Sequence, residues 1–263
     1  MTKINDIAVF DSDNGKEPLV FVHAFPLNSG MWDMQVKEFS EDYRVITYDV
    51  RGLGESKQSN NQFMMENYAD DLINIIDELK LELVNAVGLS MGGYIIQRAL
   101  LKRKGLFKSL VLADTRLEGD SNEGLILRAS AIQKILNGQR EEFIDGFLVN
   151  LLNKKSYKNT ALVKKIKSLI SVNTNEGIAG AMLALATRTD NSNAFNDYDL
   201  PVLILVGRDD VLTPIECSQN IKDSFIKSKM VIIEDSGHLS NLERPEEFNN
   251  NLRIFFKSSN EKN

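Results

Sequence analysis

Short apolar, β-branched runs alternate with amphipathic helical patterns along most of this chain, and that rhythm constrains its fold more than any other feature. Segments 18–22, 43–48, 84–87, 110–113, 202–206 and 230–233 read as buried strands. Between them, Leu72, Ile75, Ile76 and Leu79 recur at helical spacing, and 91–101 is a second amphipathic stretch. Strand–helix alternation of this kind implies an α/β fold with a mostly parallel sheet covered by helices on both faces.

The rhythm breaks after Asp114. From 116 to 196 no strong strand pattern appears, whereas 125–136, 141–152, 162–170 and 178–186 all carry helical patterns. Leu200-Pro201 then leads back into a strand. The expected organisation is therefore one sheet-centred core, 1–115 and 197–263, with a helical cap inserted over 116–196. The lysines of 154–167 alternate with Leu162, Val163 and Ile166 and read as a solvated helix face. The tail 257–263 is expected to fray.

Composition narrows the function classes. A chain of 263 residues can bury one large core, and its net charge of −6 argues against nucleic acid as the main partner. The single cysteine, Cys217, excludes an intramolecular disulfide and a thiolate metal cluster, and in a helical context it reads as a packed apolar residue. The only histidines are His23 and His238, so a multi-histidine metal site is not expected, and no metal or cofactor is implied. The polar N-terminus lacks a signal-peptide pattern and no apolar run has the length of a membrane span, which reads as a cytoplasmic protein.

The strongest local signal is Gly88-Leu89-Ser90-Met91-Gly92-Gly93, placed directly after one strand pattern and before a helical one. Gly-x-Ser-x-Gly in that context is a nucleophile elbow, a sharp turn that presents a hydroxyl above the sheet. A plain glycine-rich turn is the alternative, and the downstream residues weigh against it. A serine hydroxyl needs a base to act near neutral pH. His238, in the loop between the strand pattern at 230–233 and a helix opening near Pro245, is the candidate. The base in turn needs a carboxylate to fix its tautomer. Asp209 and Asp210 both follow the strand pattern at 202–206, and Ser, Asp, His is a chain order that this elbow uses.

On these motifs the chain resembles the α/β-hydrolases from His23 to about Phe256, and most resembles small carboxylesterases and 3-oxoadipate enol-lactonases. The resemblance implies the α/β-hydrolase fold with a helical cap, and selects Asp210 over Asp209 because it stands ahead of Thr213-Pro214. Some members carry the acid after an earlier strand, which here is Asp114. The segment His23-Ala24-Phe25-Pro26 is similar to the family's His-Gly-x-Pro, which makes the backbone N–H groups of Phe25 and Met91 the implied oxyanion donors. Ala24 stands where glycine is usual, so a positive φ there is in question. His23 reads as structural, as does the glycine-rich stretch from Asp49 to Ser56.

The resemblance also bears on the reaction. Haloalkane dehalogenases and epoxide hydrolases of the family place an aspartate at the elbow, so Ser90 points instead to acyl transfer. A small apolar carboxylic ester is the favoured substrate. A dicarboxylate-like enol-lactone is the runner-up and would call for a cationic side chain such as Arg116, Arg128 or Arg188. Cofactor-free haloperoxidases or perhydrolases share a similar site. A receptor that binds in the same pocket without turnover is the alternative from another class. Met182 and Leu185, three apart on one helix face of the insertion, are expected to line the pocket.

Overall fold

In the computed structural model, which describes residues 1–57 and 63–260, eight strands form one sheet in the order β1-β2-β4-β3-β5-β6-β7-β8. The strands are β1 (Thr2–Ile4), β2 (Ile7–Asp11), β3 (Pro18–Val22), β4 (Arg44–Tyr48), β5 (Val84–Leu89), β6 (Phe107–Ala113), β7 (Val202–Gly207) and β8 (Ser228–Ile233). β1, β2 and β4 pair antiparallel, and every other pairing is parallel. The central strands are buried along nearly their whole length because helices cover both faces, which is why they read as continuous apolar runs instead of alternating ones.

The core helices are α1 (Asp33–Phe39), α2 (Met65–Glu78) and α3 (Met91–Lys102), followed later by α8 (Ile215–Ser224), the short α9 (Ser240–Glu243) and α10 (Pro245–Asn260). α2 buries Tyr68, Ala69, Leu72, Ile75 and Ile76 on one face. Each such Leu or Ile contributes on the order of 1.5–3 kcal/mol of transfer free energy. The described part of the segment expected to fray, 257–260, is helical. α10 continues to Asn260 because Phe255 and Phe256 are buried and the hydroxyls of Ser258 and Ser259 donate to the Phe255 carbonyl. Residues 261–263 of that expected tail lie outside the described ones.

Between β6 and β7 run four helices, α4 (Asn122–Leu136), α5 (Arg140–Leu151), α6 (Thr160–Ser171) and α7 (Asn175–Ala186). Three of them start on side-chain caps: Ser121 accepts from Gly124 N, Asn159 from Leu162 N and Thr174 from Gly177 N. The lysine-rich stretch is not one helix face. It opens with turns and a short 3-10 segment at Ser156–Lys158, and α6 begins only at Thr160.

The parallel strands share one direction, so β5, β6, β7 and β8 deliver the residues after them to the same edge of the sheet. In open α/β sheets the loops at that carboxyl edge are where ligands bind.

Candidate active site

Ser90 sits between β5 and α3 with φ 55° and ψ −113°, a conformation uncommon for a residue with a side chain. The turn that holds it leaves no room beside it. A Cβ on Gly92 would stand 2.0 Å from the Val22 carbonyl oxygen, and one on Gly88 would stand 2.5 Å from the Gly92 backbone. The turn is pinned by Ser90 N donating to Ala113 O at 2.9 Å and by the Thr115 hydroxyl donating to Ser90 O at 2.9 Å.

Three residues far apart in sequence meet in a line of hydrogen bonds. The Ser90 hydroxyl donates to His238 Nε2 at 2.8 Å. His238 Nδ1–H donates to Asp210 Oδ2 at 2.8 Å. The second oxygen of Asp210 accepts Leu212 N at 2.8 Å and Thr213 N at 3.0 Å, and the Thr213 hydroxyl donates to Asp210 Oδ2 at 2.6 Å. In the sequence Thr213 serves only to mark Asp210, and its bonds to that carboxylate are not legible there. Asp209 turns away, and its carboxylate accepts from the Asn153 side chain.

The electrostatics follow from this arrangement. Burial raises the Asp210 carboxyl, but the His238 charge and hydrogen bond, with the donors from Thr213, hold it below its ordinary value. Burial lowers the His238 imidazole, but Asp210 outweighs it and raises the net value. Asp114 at the end of β6 is fully buried and is pushed up to about 8, first by burial and then by the charge of Asp210. Burial and mutual charge thus shift these two neighbouring carboxyl groups in opposite directions. Asp114 makes no hydrogen bond to His238, although the two interact through charge. It accepts Gly207 N at 2.8 Å and the amide of Ser240 at 3.3 Å, and is bonded to the Ser240 hydroxyl.

The amide of Met91 lies in the first turn of α3, where helix amides lack intrahelical partners, and Phe25 follows β3. Among the described residues neither amide has a hydrogen-bond acceptor. Ala24 is not among the positive-φ residues, so alanine is accommodated there without strain. His23 is fully buried and bonded to backbone: its Nδ1–H donates to Ala24 O at 2.9 Å and its Nε2 accepts Val50 N–H at 2.8 Å. The stretch after Asp49 is likewise held by local bonds, with Asp49 accepting from Ser29 and Glu55 amides.

Ser90 and His238 open onto a cavity of about 330 Å³. Phe25, Tyr94, Phe147 and Leu185 give it apolar walls, and Leu127 and Val211 stand at an exposed rim. At one end Arg116, Arg128 and Arg188 line the cavity with Asp120. Asp120 pairs with both Arg128 and Arg188, and Arg188 lies 4.6 Å from the Tyr94 ring centroid. Met182 does not line the cavity: it is packed in the core, on the buried side of α7.

No described helix is long and apolar enough to cross a membrane, and no group of His, Cys, Asp or Glu side chains among the described residues could hold a metal ion.

The profile of the alpha/beta hydrolase fold matches residues 17–245. 3-Oxoadipate enol-lactonase 1 of Acinetobacter baylyi is 30% identical over 248 residues, covering 93% of this chain and 91% of that one. A malate-bound thermophilic esterase from Thermogutta terrifontis superposes with a TM-score of 0.91 at 31% identity, covering 96% of this chain and 93% of the other. The bromoperoxidase from Bacillus anthracis superposes with a TM-score of 0.84 at 25% identity, covering 95% of each chain.

Proposed function

The chain belongs to the α/β-hydrolase fold family, and we propose that it hydrolyses small carboxylic esters through an acyl-enzyme on Ser90. The observation that carries this reading is the unbroken Ser90–His238–Asp210 hydrogen-bond line, with both contacts at 2.8 Å. In this mechanism Ser90 Oγ attacks the ester carbonyl carbon while His238 Nε2 takes the hydroxyl proton. The carbonyl oxygen becomes an oxyanion held by the amides of Phe25 and Met91, a type of contact worth about 10²–10³ in kcat per donor. Collapse of the intermediate breaks the carbon–oxygen bond, and His238 returns the proton to the leaving alcohol. Water, deprotonated by His238, then cleaves the acyl-enzyme and restores the Ser90 hydroxyl. Asp210 keeps the imidazole in the Nδ1–H tautomer and stabilises its cation. The helices of 116–196 act as the cap that covers the acyl group.

A second reading rests on the arginines. Three of them against one aspartate give the pocket end a cationic character that suits a substrate bearing a carboxylate, such as an anionic enol-lactone. The enol-lactonase relative and the malate-bound esterase support that reading.

Both readings share one test. Ser90→Ala should remove nearly all hydrolysis of p-nitrophenyl esters, a loss of about a millionfold in kcat, with the fold intact. A fluorophosphonate should label Ser90 alone. Retention of a tenth of wild-type turnover would sink the assignment. Comparing a neutral ester with the same ester carrying a terminal carboxylate separates the two substrates: preference for the anionic one that disappears in Arg116→Gln supports the second.

A further inference from the structure

The loop that carries His238 is gripped from both sides by one buried carboxylate and is fastened to the helical insertion. Glu243, the last residue of α9, accepts the amide of Gly237 at 2.9 Å and that of Leu239 at 3.4 Å through Oε1. These are the two neighbours of His238. Its other oxygen, Oε2, accepts the amide of Asn153 at 2.9 Å. Asn153 belongs to the insertion, two residues after the end of α5.

Further contacts at the same seam run in parallel. The His238 amide donates to the Leu151 carbonyl at 3.0 Å, and the Asn153 side chain reaches Asp209. The two backbones are so close that a Cβ on Gly237 would stand 2.7 Å from Asn153 N and 2.9 Å from the Leu152 carbonyl carbon. Only glycine fits there. Burial raises the Glu243 carboxyl, and the amides and Ser156 that donate to it oppose that shift.

We propose that Glu243 is a positioning residue that couples the insertion to the base: through it, 151–153 must be docked for His238 to stand between Ser90 and Asp210. This rests on the acyl-enzyme reading above for its effect on rate, but the geometry itself is independent of any substrate. A carboxylate accepting amides on both sides of His238 restrains both backbone torsions that aim the imidazole. Because the third amide comes from Asn153, displacement of the insertion pulls on the same carboxylate. The insertion, which lines the cavity through Phe147 and Leu185, would thus report its position to the base.

The test compares Glu243→Gln with Asp235→Asn. Gln keeps the shape and one acceptor oxygen but turns an NH₂ group toward an amide donor. Asp235→Asn removes the ion pairs to Lys155 and Arg244 on the same loop without touching the grip. Two readouts are taken: the kcat and KM of ester hydrolysis, and the far-downfield proton signal of His238 Nδ1–H bonded to Asp210, recorded by NMR without substrate. Glu243→Gln should lower kcat by about tenfold to a hundredfold, the range expected for a small misplacement of a catalytic group, with KM nearly unchanged. It should also shift or broaden the downfield signal, and Asp235→Asn should leave both readouts as in wild type. An unchanged signal and kcat in Glu243→Gln, with only a lower melting temperature, would overturn the proposal. If wild type itself hydrolyses no ester, the acyl-enzyme reading fails, while the resting-state signal still decides whether Glu243 places His238.

Discussion

Asp114 and Ser240 are bonded to each other in the interior, tying the end of β6 to the residue two places beyond His238. That contact explains how two carboxyl groups at neighbouring strand ends differ in their partners. Asp210 points its Oδ2 at the imidazole, whereas Asp114 spends both oxygens on Gly207 and Ser240. Asp210→Asn should therefore cost about 10⁴ in kcat, because an amide at that point favours the wrong imidazole tautomer. Asp114→Asn should cost about 1–3 kcal/mol of stability through a mispaired buried donor, with a far smaller loss of kcat. Steady-state kinetics and denaturant melts on both variants check this, and the reverse ranking would place the acid on β6.

The pH dependence has a definite sign. In the proposed mechanism His238 acts as a base only when neutral, and its folded-state value lies above the ordinary 6.5 because Asp210 outweighs the effect of burial. The profile of kcat/KM should fall as pH drops through a midpoint above 6.5. Arg116 opposes protonation of His238. Arg116→Gln should accordingly move the midpoint to higher pH, and Asp210→Asn should move that of the residual activity lower. Profiles of the three proteins on one neutral ester would reveal the shifts.

Close packing at the elbow gives a paired stability prediction. Gly92→Ala forces a methyl against the Val22 carbonyl, a backbone atom that cannot swing aside, and should destabilise the fold by about 1–3 kcal/mol or more. Gly146, inside α5, meets nothing within 4 Å of its added Cβ. Gly146→Ala should stabilise by about 0.5–1 kcal/mol through helix propensity. Chemical denaturation of both variants tests the contrast.

What the sequence made legible was whatever is encoded locally. The parallel strands are runs of Val, Ile and Leu flanked by turns, and Ser90, Asp210 and His238 each follow such a run, so a list of strand ends already contains the site. Neither β1 nor β2 was legible; β1 was hidden because Thr2 and Lys3 are exposed and polar. Its pairing depends on a turn at Asn5-Asp6 with φ of 48° and 68°, and on β2 joining β4. Glu243 and Thr213 escaped for another reason. Their roles are set by amides and oxygens brought together in three dimensions, and Asn153 N is 90 residues from the carboxylate it meets. Pocket lining sits on the same side of that divide, since helical spacing put Met182 and Leu185 on one face without saying where the face points.

The divergence of those two residues supplies the last prediction. Leu185 touches the cavity beside Phe147 and Arg188, whereas Met182 is buried among core side chains three residues earlier on α7. Both are nearly inaccessible to solvent, so burial alone does not distinguish them. Leu185→Ala opens space in the cavity where the proposed mechanism places the acyl group. One methylene in an apolar pocket is worth about 1–3 kcal/mol, so the kcat/KM ratio of a longer to a shorter acyl ester should rise tenfold or more. Met182→Ala leaves a void that no substrate reaches. It should lower stability by about 2–5 kcal/mol and leave the chain-length profile flat. Melting curves and a graded series of p-nitrophenyl esters on both variants measure the two effects together. A flat profile for Leu185→Ala with a stability loss like that of Met182→Ala would show that Leu185 only fills the core, and would remove it from the pocket wall without touching the roles of Ser90, Asp210 and His238.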